Sequence, residues 1–408
     1  MKRLKQLISL SLLVLLAGGQ ALQAQTAVRA GTLYTMDGDP IEDGVVLIRD
    51  GLIEEVGPAS SVNIPSGWTV HEAEVVTPGL IDAHTVVGLA GIFNVDADQD
   101  QLETSSPLQP ELRALDAYNA REDLVKYVLD MGVTTVHTGH GPGALASGQT
   151  MIAKTPYNTV EEAVVDSITM VAFTLGSDIS GAFSSPGTRA KAMSMLRQQF
   201  IKAQEYLEQR NSEDPPSRDL TMEVLADILE GKVTAMITAQ RAHDIMTALR
   251  LQEEFGFPMV LDGAAEAYLV MDHIRDADVP VFVHPTKVRT GGSTRNASFE
   301  TAGKLAEAGI TFAFQSGYEG YVPKTRIVLF EAAIAAANGL SREAALRALT
   351  IDAAEILGIA DRVGSLAPGK DADLVLYDGD PFEYTTHVTR VLVDGAVVSD
   401  GRTPRISH

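Results

Sequence analysis

The sequence contains no cysteine among its 408 residues. This absence excludes disulfide bonds, thiolate metal ligands, a cysteine nucleophile and a lipid-modified N-terminal cysteine. The Gly-x-Ser-x-Gly motif of serine hydrolases is also missing, and the glycine-rich stretch at 139–149 lacks the spacing of a P-loop or a dinucleotide fingerprint. The lack of cysteine does not by itself indicate a redox compartment.

Long apolar runs are limited to the N-terminus. Lys2, Arg3 and Lys5 precede an apolar run at 7–16, and small residues follow up to Ala24. This order is typical of a secretory signal peptide at 1–24, and the run is too short to span a membrane comfortably. We therefore expect cleavage near Ala24, a secreted or periplasmic protein, and no integral membrane anchor once the peptide is removed.

Positive charge is scarce in this chain. There are 32 Lys and Arg residues against 54 Asp and Glu residues, so the formal net charge is −22. Such a polyanion repels nucleic acid and acidic membrane surfaces, and we expect neither as a partner. No block of like charges is long enough to form a tail, so solubility is the simplest explanation of the charge.

Both ends of the chain have the pattern of short strands separated by turns. Asp-Gly pairs interrupt short apolar runs at 26–77 and again near the C-terminus, in DADLVLYDGDPF and VTRVLVDGAVV. The two ends are therefore predicted to be rich in β-structure, whereas the middle of the chain is not.

The middle of the chain alternates between apolar β-type runs and amphipathic helices. Eight such runs occur, the number that a (β/α)8 barrel requires. They are EVVTPGLIDAH, GVTTVHTG, GQTMIAKT, SITMVAFTLG, VTAMITAQ, PMVLDG, VPVFVHP and ITFAFQSG. The clearest helix is predicted at 188–210, where apolar residues recur at three and four residues. The alternation favours a parallel sheet buried on both faces, with a doubly wound sheet as the structural alternative.

Five stretches resemble the motifs of a known family. They are PGLIDAHT at 78–85, GVTTV at 132–136, the helical stretch at 187–206, ALTIDAAEILGI at 348–359 and GSLAPGKDADLVLYDGDPF at 364–382. In this order and with these gaps they resemble the amidohydrolase superfamily, near its imidazolonepropionase-like and prolidase-like branch, over nearly the whole mature chain. The resemblance implies a TIM-like (β/α)8 barrel at 78–363 and a small β-sandwich domain formed from both chain ends, 25–77 and 364–408.

Members of this superfamily are metal-dependent hydrolases. The resemblance implies one or two divalent metals at the carboxyl ends of the barrel strands. The expected ligands are His-x-His on strand 1, a lysine or glutamate on strand 4, single histidines on strands 5 and 6, and an aspartate on strand 8. The metal lowers the pKa of a bound water, and the strand 8 aspartate accepts its proton.

Most of these expected ligands are missing. His84 matches the first histidine of strand 1, but Val86 stands where the second is expected. The other positions carry residues that are unsuited to a catalytic metal: Thr238 on strand 5, Gly263 on strand 6 and Ser316 or Gly317 on strand 8. The strand 4 run, SITMVAFTLG, holds neither lysine nor glutamate. Because valine and glycine offer no donor atom and threonine is a poor zinc ligand, we expect the usual metal site to be largely lost.

A relocated metal site is one alternative. His84, His137 or His140, and His284 belong to the ends of strands 1, 2 and 7, and strands 7, 8, 1 and 2 are neighbours around a closed barrel. Their imidazoles could converge at one mouth and hold a divalent metal such as zinc. The competing interpretation is a set of histidines that are individually hydrogen-bonded in loops. Without such a site, we expect no cofactor.

Three positions are candidate substrate-binding residues. Lys287 and Arg289 follow strand 7 and could hold a carboxylate or phosphate, with a solvated polar loop as the competing interpretation. Glu266 follows strand 6. Together with Asp262 and Glu319 it could also supply a metal-free acid/base pair, although surface carboxylates are common in so acidic a chain.

The sequence leaves three functional hypotheses. We favour a superfamily member, by descent a hydrolase of C–N bonds in non-peptide or small peptide substrates, whose activity is lost or strongly altered and which could pair with an active amidohydrolase. The second is a genuine hydrolase with the relocated metal site, and the third is a periplasmic small-molecule binding protein. The partners that these imply are a small-molecule or peptide substrate, an active relative, or further copies of the same chain.

Overall fold

A computed structural model describes residues 25–93, 95–179, 181–210, 212–284, 291–318 and 327–401. The predicted signal peptide at 1–24 lies outside these residues, and so do Lys287, Arg289 and Glu319. Within the described ranges, no helix is long and apolar enough to cross a membrane.

Strands and helices alternate along the described chain. The strands are β1 (Gln25–Leu33), β2 (Ile41–Arg49), β3 (Leu52–Pro58), β4 (Thr69–Pro78), β5 (Leu80–Thr85), β6 (Val133–Thr138), β7 (Ala146–Gln149), β8 (Met151–Lys154), β9 (Val164–Asp166), β10 (Met170–Thr174), β11 (Thr234–Thr238), β12 (Met259–Gly263), β13 (Val281–Val283), β14 (Phe312–Phe314), β15 (Leu374–Tyr377), β16 (Val388–Val393) and β17 (Ala396–Ser399). The α-helices are α1 (Asp123–Asp130), α2 (Val160–Ala163), α3 (Arg189–Arg210), α4 (Leu220–Leu229), α5 (Ala242–Phe255), α6 (Met271–Asp276), α7 (Thr301–Glu307), α8 (Val328–Ala337), α9 (Arg342–Arg347) and α10 (Ile351–Ile356). The fold is therefore mixed α/β, and the helix predicted at 188–210 is confirmed.

Strands from both chain ends form one seven-stranded sheet. Its order is β17-β16-β15-β4-β1-β2-β3. Strand β15 pairs antiparallel with β4, which joins the C-terminal segment to the N-terminal one. The prediction that both ends are β-rich is confirmed, whereas their arrangement as a sandwich stays a prediction.

The central strands form two further sheets, ordered β14-β13-β12-β11-β10-β7 and β5-β6-β8-β9. Strands β10 to β14 pair in parallel, as predicted. However, β8 runs antiparallel to β6, and β7 runs antiparallel to β10. The prediction of an entirely parallel sheet is wrong at this point. A parallel neighbour of β6 would require a crossover helix that carries the chain back to the end of the sheet where β6 begins. Residues 139–150, which connect β6 to β8 and are all described, contain no such helix.

The two central sheets meet at β5 and β14. A parallel backbone bridge joins Thr85 at the end of β5 to Gly317 just after β14. At the opposite edges, the backbone N–H of Thr150, between β7 and β8, donates to the carbonyl of Met170 in β10. These contacts bring the carboxyl ends of β5 and of β10 to β14 to one side of the molecule.

Side-chain alternation divides the central strands into an outer and an inner face. Outer residues such as Phe173, Leu261 and Val281 pack with the helices in one apolar cluster. Inner residues form a second apolar cluster, which includes Met236, Val260, Phe282 and Ala313. Two residues farther along each of these strands, the inner face becomes polar, with Thr238, Asp262, His284 and Gln315. We call this set, together with His84, the polar layer.

A buried lysine connects β8 to the seven-stranded sheet. The ammonium group of Lys154 lies 2.8 Å from a carboxylate oxygen of Asp371 and 3.3 Å from one of Asp373, and it also contacts Asp394. Tyr157 donates its hydroxyl hydrogen to Asp394. The single lysine therefore bridges three carboxylates that come from the C-terminal segment.

Candidate functional site

Asp262 is the hydrogen-bonding centre of the polar layer. Its Oδ1 accepts from His84 Nδ1 at 2.9 Å and from Gln315 Nε2 at 2.5 Å, and its Oδ2 accepts from Thr238 Oγ1 at 2.6 Å. All four side chains are buried. Burial raises the pKa of Asp262, but the charge of His84 and the hydrogen bonds from His84 and Thr238 outweigh it, so the pKa lies below its ordinary value. The group is therefore a buried carboxylate.

His137 lies beside His84 in the interior. The two ring centroids are 5.9 Å apart. His137 Nδ1 lies 2.6 Å from the carbonyl oxygen of Ala83, and its Nε2 lies 2.6 Å from Thr150 Oγ1. Burial, with a smaller contribution from His84, lowers the pKa of His137 to about 3, so the ring is neutral. Both of its nitrogens have partners within the protein, which leaves neither available to a ligand without a rearrangement.

His140 is buried against β7. A Cβ atom on Gly148 would lie only 2.4 Å from Cδ2 of the His140 ring. Neither ring nitrogen has a hydrogen-bond partner among the described residues. Burial lowers the pKa of His140 to about 4, so this ring is also neutral at pH 7.

We expect His140→Leu to weaken the acid sensitivity of the fold. The pKa of His140 is lower in the folded protein than the ordinary value of 6.5. The unfolded chain therefore binds more protons, and the stability that is present above that value is lost as the pH falls towards the folded-state pKa. Between about pH 7 and about pH 4.5 the wild type should lose about 2–3 kcal/mol more unfolding free energy than His140→Leu, as measured by urea denaturation. The matched control is His243→Leu, which removes an exposed histidine instead of a buried one. If the unfolding free energies of His140→Leu and wild type changed with pH in parallel, the lowered pKa of His140 would be contradicted.

The ring of His284 occupies the space beside Gly317. A Cβ on Gly317 would lie 2.6 Å from His284 Nε2, and Gly317 has a φ of +77°. The backbone N–H of His284 donates to the carbonyl of Gly263, and its Nδ1 lies 4.0 Å from Glu331 of α8. A side chain at position 317 would therefore have to displace an imidazole.

The amide of Gln240 occupies the corresponding space beside Gly263. A Cβ on Gly263 would lie 2.4 Å from Gln240 Nε2, and Gly263 also has a φ of +77°. Gln240 Oε1 accepts from the backbone N–H of Ala265 at 3.2 Å, and Nε2 donates to Tyr318 at 3.3 Å. The amide is thus held in place on both sides.

The remaining candidate positions have structural contacts. Val86 is fully buried, and its Cγ1 lies 3.3 Å from the position of a Cβ on Gly141. Glu266 accepts from Asn296 Nδ2 at 2.6 Å and from the backbone N–H of Ala242, the first residue of α5, at 2.8 Å. Glu266 therefore holds the start of α5 against the segment after β13, and its role in substrate binding stays a prediction.

Among the described residues, the donor atoms at the strand ends are not arranged to hold a divalent metal. Over the described ranges, no group of three or more histidine, aspartate or glutamate residues is arranged to hold a metal ion. His84 and His137 are brought together, but both nitrogens of His137 are already bonded and His140 faces β7. The relocated site around His84, His137 or His140, and His284 stays a prediction, and it would require several side chains to move.

Comparisons of sequence and of structure both match this chain to amidohydrolases. A sequence model of the amidohydrolase family matches residues 324–399. The crystal structure of an amidohydrolase from Thermotoga maritima matches with a TM-score of 0.86 and 30% sequence identity, covering 92% of this chain and 100% of that one. The chain belongs to the amidohydrolase superfamily.

The curated proteins that this chain resembles in sequence include imidazolonepropionases. Imidazolonepropionase from Porphyromonas gingivalis is 25% identical over 422 residues, which cover 92% of this chain and 91% of that protein. Amidohydrolase tasK from Hapsidospora irregularis is 24% identical over 398 residues, but the chain spans only 40% of the length of that protein. The superfamily predicted from the motifs is confirmed.

Sequence reasoning about this superfamily member missed two residues of the site. Gln240 and Gln315 are not among its functional candidates, whereas Asp262 is, as part of a metal-free acid/base pair with a surface carboxylate as the competing interpretation. A signal was present, because Asp262 and Gln315 lie two residues after the inner apolar residues Val260 and Ala313. Extending the strand alternation by one step would have placed both side chains inside the fold.

Proposed function

We propose that this amidohydrolase-superfamily protein has replaced the metal-dependent site of its family with a metal-independent, hydrogen-bonded site at the strand ends. In this proposal the central strands close into the family's barrel, and the polar layer lies at its mouth. Hydrolysis of C–N bonds by a metal-bound water is then lost or strongly altered. The N-terminal signal pattern favours a secreted or periplasmic location.

The observation that carries the proposal is the filling of the former ligand space. Gln240 lies where a side chain at Gly263 would extend, and His284 lies where one at Gly317 would extend. His84, the remaining family ligand, uses Nδ1 for a hydrogen bond to Asp262. Independent loss of ligands would leave open space, whereas here neighbouring side chains have taken it up, so the altered site is a packed arrangement.

The chemistry that remains is that of a buried imidazole–carboxylate pair. Asp262 Oδ1 accepts a hydrogen bond from His84 Nδ1, and His84 Nε2 has no hydrogen-bond partner among the described residues. Such a pair can bind a small polar molecule, and it can also exchange a proton with that molecule. It supplies no Lewis acid to polarise an amide carbonyl. A small-molecule binding role at the strand ends is therefore the function that the geometry supports best, with pairing to an active relative as a further expectation.

We expect purified protein to hold far less than one equivalent of zinc, manganese or iron, as measured by mass spectrometry of the metals. Hydrolysis of imidazolonepropionate and of small dipeptides should be the same in the wild type, in His84→Ala and in the matched surface variant His243→Ala. The physical reason is that the donor set at the strand ends cannot complete a coordination shell. A stoichiometric metal that disappears in His84→Ala together with hydrolysis, but not in His243→Ala, would instead establish the relocated site.

A further inference from the structure

Asp373 is a buried carboxylate with one oxygen that lacks a partner. Its Oδ1 lies 3.3 Å from the ammonium nitrogen of Lys154 and accepts from the backbone N–H of Asp394 at 2.9 Å. Its Oδ2 is buried and has no hydrogen-bond partner among the described residues. Asp373 is only 3% exposed, so bulk water does not replace the missing donor. Such atoms are rare in proteins because each costs free energy.

The other two carboxylates around Lys154 are better satisfied. Asp371 Oδ2 accepts from the ammonium group of Lys154 and from the guanidinium group of Arg362, each at 2.8 Å. Asp394 accepts from the same ammonium group through one oxygen and from the hydroxyl group of Tyr157 through the other. The third carboxylate, the one with the unpartnered oxygen, therefore has the weakest set of donors.

The charges of this cluster do not balance when all three acids are ionised. Within the described part of the chain, the titratable and charged groups around Asp373 are Lys154, Tyr157, Asp371, Asp394 and, bonded to Asp371, Arg362. Tyr157 stays neutral, because burial and the hydrogen bond to Asp394 raise its pKa to about 12. Two cations therefore face three carboxylates, and one added proton would make the charges equal. Screening is weak here, because Lys154 and Asp373 are both buried.

The cluster lies towards the opposite end of the central strands from the polar layer. Lys154 pairs with Thr135 of β6, and Thr135 in turn pairs with Ile81 near the start of β5. The three acids lie just before β15 or just after β16. The β2–β3 turn, which carries the exposed Asp50, and the β4–β5 junction contact this segment through backbone hydrogen bonds of Gly51 and Gly79. The cluster is therefore an ionic contact between β8 and the seven-stranded sheet, and its chemistry does not depend on the function proposed above.

We propose that Asp373 is a proton-binding switch that strengthens the junction between β8 and the seven-stranded sheet as the solution becomes mildly acidic. The proton binds to the unpartnered Oδ2. It removes the repulsion from Asp371 and Asp394, and the charge of Lys154 is then shared by those two acids alone.

The sign of the pH dependence follows from the surroundings of Asp373. Burial raises its pKa to about 6, with smaller contributions of the same sign from Asp394 and Asp371, and the charge of Lys154 and the backbone N–H of Asp394 oppose the rise. The ordinary value is 3.8, so the folded protein binds this proton more tightly than the unfolded chain does. The gain in stability therefore begins as the pH falls through about 6, and it is complete once the pH is below the ordinary value.

Urea denaturation of the full chain at two pH values tests the proposal. Asp373→Asn has nearly the same shape but cannot take up the proton, and the effects of other titrating groups such as His140 cancel when it is compared with the wild type. Between about pH 7.5 and about pH 5, the folding equilibrium constant of the wild type should rise about tenfold relative to that of Asp373→Asn. The matched control is Asp227→Asn, which neutralises a carboxylate beside the exposed Lys232.

Infrared difference spectroscopy keeps the proposal testable if Asp373→Asn does not fold. The wild type should show the band of a protonated carboxylic acid that appears with a midpoint at about pH 6. Asp371→Asn should move that midpoint to lower pH, because it removes a charge that repels ionised Asp373.

Three results would overturn the proposal. The first is a ratio of the wild-type and Asp373→Asn folding constants that does not change with pH. The second is an equal rise relative to Asp227→Asn, which would indicate a general effect of the acidic charge of the chain. The third is the absence of the protonated-acid band, or a band whose midpoint is unchanged in Asp371→Asn.

Discussion

Gly317→Asp should destabilise the protein and should not create a metal site, even though it introduces an acid at one of the two positions where the family resemblance implies the strand 8 aspartate. The new Cβ would lie 2.6 Å from Nε2 and 2.8 Å from Cε1 of His284, in a backbone conformation with a φ of +77°. Displacing a packed ring and forcing a side chain into the left-handed region should together cost about 2–4 kcal/mol. Urea denaturation followed by circular dichroism measures the cost, and zinc titration measures binding.

A second glycine separates the cost of displacing the His284 ring from the cost of the left-handed backbone conformation. Gly358 has a φ of +72°, and a Cβ there would meet nothing within 4 Å. Gly358→Asp should therefore show only the backbone cost, about 1 kcal/mol. The double variant Gly317→Asp with His284→Ala should recover part of the loss, because the ring that blocks the aspartate is gone. Wild-type stability or tight zinc binding in Gly317→Asp alone would show that the former ligand space is still open.

Lys154→Met should be strongly destabilising. The lysine side chain is 4% exposed and contacts Asp371, Asp373 and Asp394. Burial raises the pKa of Asp373 to about 6, and the charge of Lys154 opposes this rise. Without the ammonium group, the carboxylates repel one another in a buried site, and we expect a loss of about 3–5 kcal/mol in the free energy of unfolding at neutral pH.

An exposed lysine with two carboxylate partners is the matched control for this variant. Lys232 is 57% exposed and pairs with Asp227 and Glu230, so solvent screens these ion pairs and Lys232→Met should cost much less than Lys154→Met. Combining Lys154→Met with Asp373→Asn should cost less than the sum of the single changes, since the second change removes one of the stranded charges. Equal costs for the two lysine variants would mean that the buried cluster contributes no more than a surface ion pair.

Local sequence patterns predicted much of the secondary structure, because the periodicities of helices and strands depend on residues that are close together in the chain. The three-and-four spacing of apolar residues predicted a helix at 188–210, and α3 runs from Arg189 to Arg210. Each of the eight apolar runs contains a strand. The direction of β8 was not predictable in the same way, because an apolar run buried on both faces has the same composition in a parallel and in an antiparallel pair.

The sequence by itself determined the superfamily, and it predicted the loss of the family's metal ligands. The order of the motifs around PGLIDAHT and GSLAPGKDADLVLYDGDPF identifies the family, and the identities of Val86 and Gly317 are the basis of that prediction. Only the tertiary structure decided which side chains occupy the space beside these positions. His84 and Asp262 are 178 positions apart, and Gln240 and His284 fill spaces beside Gly263 and Gly317. Such contacts depend on which side chains meet where separate strands end, and no short stretch of sequence carries that information.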